Sequence, residues 1–114
     1  MTHTMNLDPS PFGMIKSGIK TIELRLYDEK RRLINAGDTI VFTSTENSAD
    51  TLKVRGLGMH IFDSFETLYK ELPLLKCGYT REDIDTASPN DMDIYYSKER
   101  QKKYGVVGIE IETV

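Results

Sequence analysis

From Lys20 to Leu26 polar and apolar residues alternate. Ile22, Leu24 and Leu26 fall on one side, Thr21, Glu23 and Arg25 on the other, and Lys20 shares the apolar side by parity. A period of two is that of a half-buried strand. The same period recurs over Thr39–Ser44, with Ile40 and Phe42 on one face and Val41 on the other. It returns over Val106–Glu112, with Val107, Ile109 and Ile111 inward and Glu110 and Glu112 outward. Thr51–Phe62 reads as a longer strand, and Gly56 or Gly58 predicts a bulge within it.

Helix signals fill the intervals. In Asp8-Pro9-Ser10-Pro11 a side-chain oxygen can take an orphan backbone N–H, and proline is tolerated in a first turn. Phe12 and Ile15 supply an apolar stripe and Gly18 a left-handed close, so a helix is predicted over Pro9–Ser17. Asp63-Ser64-Phe65-Glu66 is a capping box opening a helix to about Leu72, before Pro73. Thr80-Arg81-Glu82-Asp83 caps a second, short helix. Ser88-Pro89-Asn90-Asp91 opens a third, running to about Tyr104 and ended by Gly105. Its last turn holds Lys102 and Lys103, favourable at the negative end of the dipole. His3 falls in a terminus expected to fray.

The predicted order is α-β-β-β-α-α-α-β. Without a regular βαβ alternation, a doubly wound sheet is disfavoured. The pattern points to an α+β fold: a small, mainly antiparallel sheet curled into an open barrel, with short helices covering it. At 114 residues the chain has room for one domain, with its core over about 5–112.

Composition narrows the function classes. The apolar runs are too short for a transmembrane span. Met1-Thr2-His3-Thr4-Met5 has no basic region or apolar stretch, so no secretory signal is expected and the cytoplasm is the default location. A single cysteine, Cys77, excludes an internal disulfide and any multi-cysteine zinc site. His60 and Cys77 alone make no metal site, and His60 reads as a structural histidine. No phosphate-binding loop or dinucleotide fingerprint occurs, and no cofactor is expected.

Net charge is −3, from 15 basic and 18 acidic residues, which argues against indiscriminate nucleic-acid binding. The charge is uneven. Residues 61–93 carry 3 basic and 8 acidic groups, whereas residues 94–114 carry 4 basic and 3 acidic. A local basic face is therefore compatible with an acidic chain, although charges spread for solubility would look the same.

Two constellations carry candidate chemistry. In the first, Glu23 and Arg25 share a strand face and Lys20 follows a glycine at the mouth of the sheet. Three charges this close are unusual on a strand. They suit a polar cleft in which Arg25 holds a phosphate or carboxylate while Lys20 and Glu23 bind a base edge or exchange protons. The plainer alternative is a solvent-facing strand with a Glu–Arg pair. In the second, helical spacing puts Tyr96, Glu99, Arg100 and Lys103 on one face, an aromatic among cations, as stacking on bases and neutralising phosphates require. Tyr95 and Tyr96 as partial core is the alternative.

The segment Gly18-Ile19-Lys20-Thr21-Ile22-Glu23-Leu24-Arg25 resembles the G-x-K-x-x-E-x-R signature of the ASCH domain, a relative of the PUA fold. Asn35-Ala36-Gly37-Asp38-Thr39-Ile40 and Tyr104-Gly105-Val106-Val107-Gly108-Ile109 resemble the family's entries into its second and last strands. The resemblance implies a PUA-like open β-barrel whose cleft is lined by the motif's Lys, Glu and Arg, here Lys20, Glu23 and Arg25. One branch of the family hydrolyses N4-acetylcytidine, using the motif's Lys and a Thr three residues later. Here Glu23 stands at that Thr position.

The expected function is therefore binding of RNA or a nucleoside-like molecule, with Lys20, Glu23, Arg25 and Tyr96 as ligand residues. The alternative is a small hydrolase acting on a modified nucleoside, with Lys20 and Glu23 catalytic. A protein-interaction adaptor using the acidic 61–93 region ranks last. No membrane and no metal partner is expected.

Overall fold

The alternating segments become strands of one five-stranded sheet. The computed structural model describes residues 1–114. In chain order the elements are β1 (Thr2–Leu7), α1 (Pro9–Lys16), β2 (Ile22–Leu26), β3 (Thr39–Ser44), β4 (Thr51–Phe62), α2 (Phe65–Glu71), α3 (Lys98–Tyr104) and β5 (Val106–Thr113). Short 3-10 turns occur at Arg31–Leu33, Leu74–Lys76, Ile84–Thr86 and Pro89–Ile94. The sheet order is β1-β3-β4-β5-β2. Only β1 and β3 run parallel; the other neighbours are antiparallel. The α+β class and the mainly antiparallel, curled sheet with short covering helices are as expected. The bulge is present, as a register shift between Gly56 and Gly58 opposite β5.

Two apolar clusters flank the sheet. One joins Met5, Ile15, Phe42, Val54, Val107 and Ile109. The other places Ile22, Leu24 and Leu26 of β2 beneath Phe65, Leu68 and Tyr69 of α2. The β2–β5 register sets Glu23 opposite Ile109 and Arg25 opposite Val107. Directly opposite residues share a sheet face, so Glu23 and Arg25 point toward the first cluster, into the curl. Both faces of β2 are thus covered, and it is not the half-solvated strand that its alternation suggests.

Three expectations need correction. The N-terminus does not fray: Thr2–Leu7 is a strand, with Met5 and Leu7 buried. The His3 ring nitrogen Nε2 lies 2.9 Å from Asp38 Oδ2, fixing the strand to the turn before β3. The Thr80–Asp83 cap forms, with the Thr80 N–H donating to Asp83 Oδ1 at 2.6 Å, but only a 3-10 turn at Ile84–Thr86 follows. The predicted helix from Pro89 to Tyr104 is two pieces. A capping box at Ser88 opens the 3-10 segment Pro89–Ile94, and Ser97 caps α3 separately by accepting the Arg100 N–H. Tyr96 lies in the break, so it does not share a helical face with Glu99, Arg100 and Lys103.

Candidate functional site

β1 and β2 are the two edges of the sheet, and the curl brings them near one another. No backbone ladder joins them. The seam is instead bridged by a side chain: Arg25 Nη2 donates to the Asn6 carbonyl oxygen at 2.7 Å. A cavity of about 470 Å³ opens at this seam. Lys20, Glu23 and Arg25 lie in its floor. Asn6, Pro11 and Met14 contribute one side, and the loop after α2 contributes Gly78, Tyr79, Tyr95 and Tyr96 to the other.

Glu23 is the hub of the floor. Its Oε1 is 2.7 Å from Lys20 Nζ, and its Oε2 is 2.8 Å from both Nε and Nη2 of Arg25. The side chains of Lys20, Glu23 and Arg25 are only 10%, 4% and 12% exposed, so this is a buried ionic triad. Lys20 lies before β2 begins, where strand parity does not apply, and so it turns back onto the far face to meet Glu23. Gly78 makes room for it: its φ is +110°, and a Cβ there would lie 3.3 Å from Lys20 Cδ.

Burial is the largest influence on Glu23 and opposes ionisation, but Lys20 and Arg25 outweigh it and hold the carboxyl below its ordinary range. For Arg25 burial again opposes the charge, and Glu23 overcomes it, raising the guanidinium's pKa. By formal charge the triad sets two cations against one anion, a net +1, and Asp8, Asp83 and Asp91 line the cavity around it.

The aromatic wall is built from residues distant in sequence. Tyr96 stacks on Phe65, with centroids 6.2 Å apart and planes at 17°, and burial raises its phenol pKa. Tyr95 is 57% exposed at the rim. Tyr79 donates to Asp91 Oδ2 at 2.7 Å, so the Tyr69 hydroxyl, 2.7 Å away, donates to Tyr79. Asp91 Oδ2 also accepts the Ser88 N–H. This chain ties the loop to α2. Desolvation raises both phenol pKa values; the bonds to Tyr69 and Asp91 raise that of Tyr79 further, whereas the bond to Tyr79 only partly offsets the rise at Tyr69, so both remain neutral donors.

Of the residues singled out from sequence, the cavity brings together Lys20, Glu23, Arg25 and Tyr96. Tyr104 lies elsewhere, beside Lys103 and Arg100. His60 pairs with Glu110 across β4 and β5 at 2.8 Å. Cys77 reaches the cavity wall, and burial pushes its thiol up to about 11, so it is a poor nucleophile. No group of three or more His, Cys, Asp or Glu residues is placed to hold a metal ion. No helix is long and apolar enough to cross a membrane. Asn6, Tyr69, Tyr79 and Asp91 carried no local signal, since each matters only through a partner that folding brings to it.

Comparison with known proteins matches the ASCH domain model over residues 5–114. The chain belongs to the ASCH domain family. Among solved structures it resembles the hypothetical protein PH0355, with 37% identity, a TM-score of 0.82 and 100% of both chains covered. It also resembles PF0455 from Pyrococcus furiosus, with 34% identity and a TM-score of 0.71, covering 100% of this chain and 98% of that one. A mutant form of ZmASCH from Zymomonas mobilis shares the fold at 15% identity and a TM-score of 0.67, over 96% of this chain and 66% of that one. No curated protein matches. The α+β, PUA-like ASCH fold is thereby shown, and the motif residues Lys20, Glu23 and Arg25 occupy its seam.

Proposed function

We propose that the seam cavity binds RNA by taking in one nucleotide, its base between the tyrosine wall and the ionic floor. The observation that carries this reading is the pairing of a net-cationic, buried floor with an aromatic wall in a cavity of about 470 Å³, within the size range of small-molecule sites. Glu23 uses both oxygens on its own cations. Lys20 has further N–H donors to offer a base carbonyl or a phosphate, while Tyr95 at the rim offers a ring for stacking. With a net charge of −3 for the whole chain, binding is expected to be salt-sensitive and to favour short single-stranded or structured RNA over long duplexes.

The hydrolase alternative uses the same residues. It needs a base, and Glu23 with its carboxyl held below the ordinary range is a weak one. This favours ligand binding over water activation. The test is a side-by-side screen of short RNAs, free nucleosides and acylated nucleosides such as N4-acetylcytidine, for both binding and turnover. Binding of RNA without turnover, weakened about tenfold or more by Tyr95→Ala, is expected from the loss of one stacking ring. Turnover of an acylated nucleoside that is lost in Lys20→Ala would replace the binding reading with the enzymatic one.

A further inference from the structure

A second feature lies at the other end of β2. Tyr27 follows that strand directly, two positions beyond Arg25 and on the same face by parity. Its backbone N–H donates to the Gly105 carbonyl at 3.0 Å, which joins this end of β2 to the start of β5. A shallow groove of about 400 Å³ opens here, lined by Tyr27, Arg32, Lys102, Lys103 and Tyr104, with Asp63 as its one carboxylate.

The cations of this groove are not ordinary surface charges. Arg32 is fixed in place: its guanidinium carbon lies 4.3 Å from the centroid of the Tyr27 ring, and its Nη2 donates to the Tyr104 carbonyl at 3.2 Å. Lys103 Nζ lies 5.1 Å and Arg100 Cζ 5.9 Å from the Tyr104 centroid. None of Arg32, Arg100, Lys102 and Lys103 takes part in an ion pair, although the chain has more acids than bases. The end of α3 accounts for part of this charge. A helix C-terminus presents roughly half a negative charge, however, and the net +2 of the groove's three cations and one carboxylate exceeds that. The groove itself thus sets Arg32, Lys102 and Lys103 against Asp63 alone, a net charge of +2 beside two tyrosines on an acidic chain, with Arg100 near the Tyr104 ring but outside the lining.

We propose that this groove is a second RNA contact, taking backbone phosphates of the strand whose base occupies the seam cavity. The geometry favours a phosphodiester over an acidic protein, because a preset arginine fork and flanking tyrosines match phosphate oxygens and exposed bases. The two contacts sit toward opposite ends of β2: Glu23 and Tyr27 are four strand positions apart, about 13 Å at about 3.3 Å per residue. Single-stranded RNA bound in the cavity would cross this distance within a few nucleotides. In linking the contacts the proposal rests on the reading of the cavity, but the groove's own affinity does not.

The test is a salt series of binding isotherms with a labelled single-stranded RNA of about ten nucleotides. Wild type is compared with the Lys102→Gln/Lys103→Gln double variant and with Tyr95→Ala. Both lysines are exposed and unpaired, so the double variant should fold normally. It is expected to weaken oligonucleotide binding several-fold at low salt. It should also reduce the slope of log affinity against log salt by about 1.4, at about 0.7 for each single-strand phosphate left unneutralised. Its affinity for a single nucleoside monophosphate should be unchanged. Unaltered oligonucleotide affinity and slope in the double variant would overturn the groove. Weaker binding in the double variant with no change in Tyr95→Ala would keep the groove and discard the cavity. A wild-type chain that binds no RNA at low salt would overturn both.

Discussion

At the scale of single residues the account turns on Glu23. It is nearly buried between two cations, so replacing it with Gln leaves Lys20 and Arg25 facing one another without an anion. Breaking a buried pair by removing one partner costs about 3–5 kcal/mol, and Glu23→Gln should fall near the lower end because the triad borders an open cavity. Denaturant unfolding measures it. The sign of the pH dependence follows from the lowered carboxyl pKa. Glu23 contributes fully above its ordinary value near 4.5, and the contribution is lost as pH falls through the lower folded value. In Glu23→Gln that part of the acid limb should be missing. Cys77, with its thiol pushed up to about 11, should react slowly with iodoacetamide in the folded protein and readily once unfolded. The motif Lys20, Glu23 and Arg25 was legible because three charges on a short apolar strand conflict with strand propensity. The contact between Lys20 and Glu23 was not legible, since parity separates them and only the turn before β2 reunites them.

At the scale of elements, strands with a clean period of two and helices with strong caps were legible, and elements held by remote partners were not. β1 is the clearest case. Its apolar signal is Met5 and Leu7 alone, and its pairing is parallel to β3, more than thirty residues away. Asp38 secures it, accepting the Asn35 N–H at 2.9 Å and lying 2.9 Å from His3 Nε2. The Asn35 hydrogen bond, then His3, lowers the Asp38 carboxyl to about 2. Its contribution is therefore complete above the ordinary value near 3.8 and is lost as pH falls toward 2. Asp38→Ala should remove that window of acid stability and speed hydrogen exchange in residues 2–7. The helix break at Tyr95–Ser97 was hidden because Ser97 reads as an interior residue until its oxygen is seen to cap α3. Gly105 is a different kind of constraint. Its φ of +73° with ψ of −173° belongs almost to glycine alone, and a Cβ would sit 3.0 Å from the Phe62 carbonyl oxygen. Gly105→Ala should cost about 1–3 kcal/mol in thermal or denaturant unfolding.

At the scale of the whole molecule, the curl of the sheet makes the site. β1 and β2 approach as unpaired edges, and an open edge is usually a liability for aggregation. Here Arg25 spans the gap to Asn6, α1 and the 77–96 loop cover it, and the remaining space is the cavity. The open barrel could be anticipated from strand count and from the resemblance of the motif. The cavity's aromatic wall could not, because Tyr69, Tyr79 and Tyr96 come from segments with no common period. Charge is divided in the same way: the chain is acidic in total, yet the floor of the seam and the β2–α3 groove each carry net positive charge, while Asp8, Asp83 and Asp91 line the cavity around that floor.

The most direct test of the seam as the binding site is a nuclear magnetic resonance titration of the isotope-labelled protein with a short single-stranded RNA. Shift changes should concentrate on the backbone amides of Lys20, Arg25, Gly78, Tyr95 and Tyr96 and saturate together. Saturating binding that leaves those amides unmoved would contradict the account.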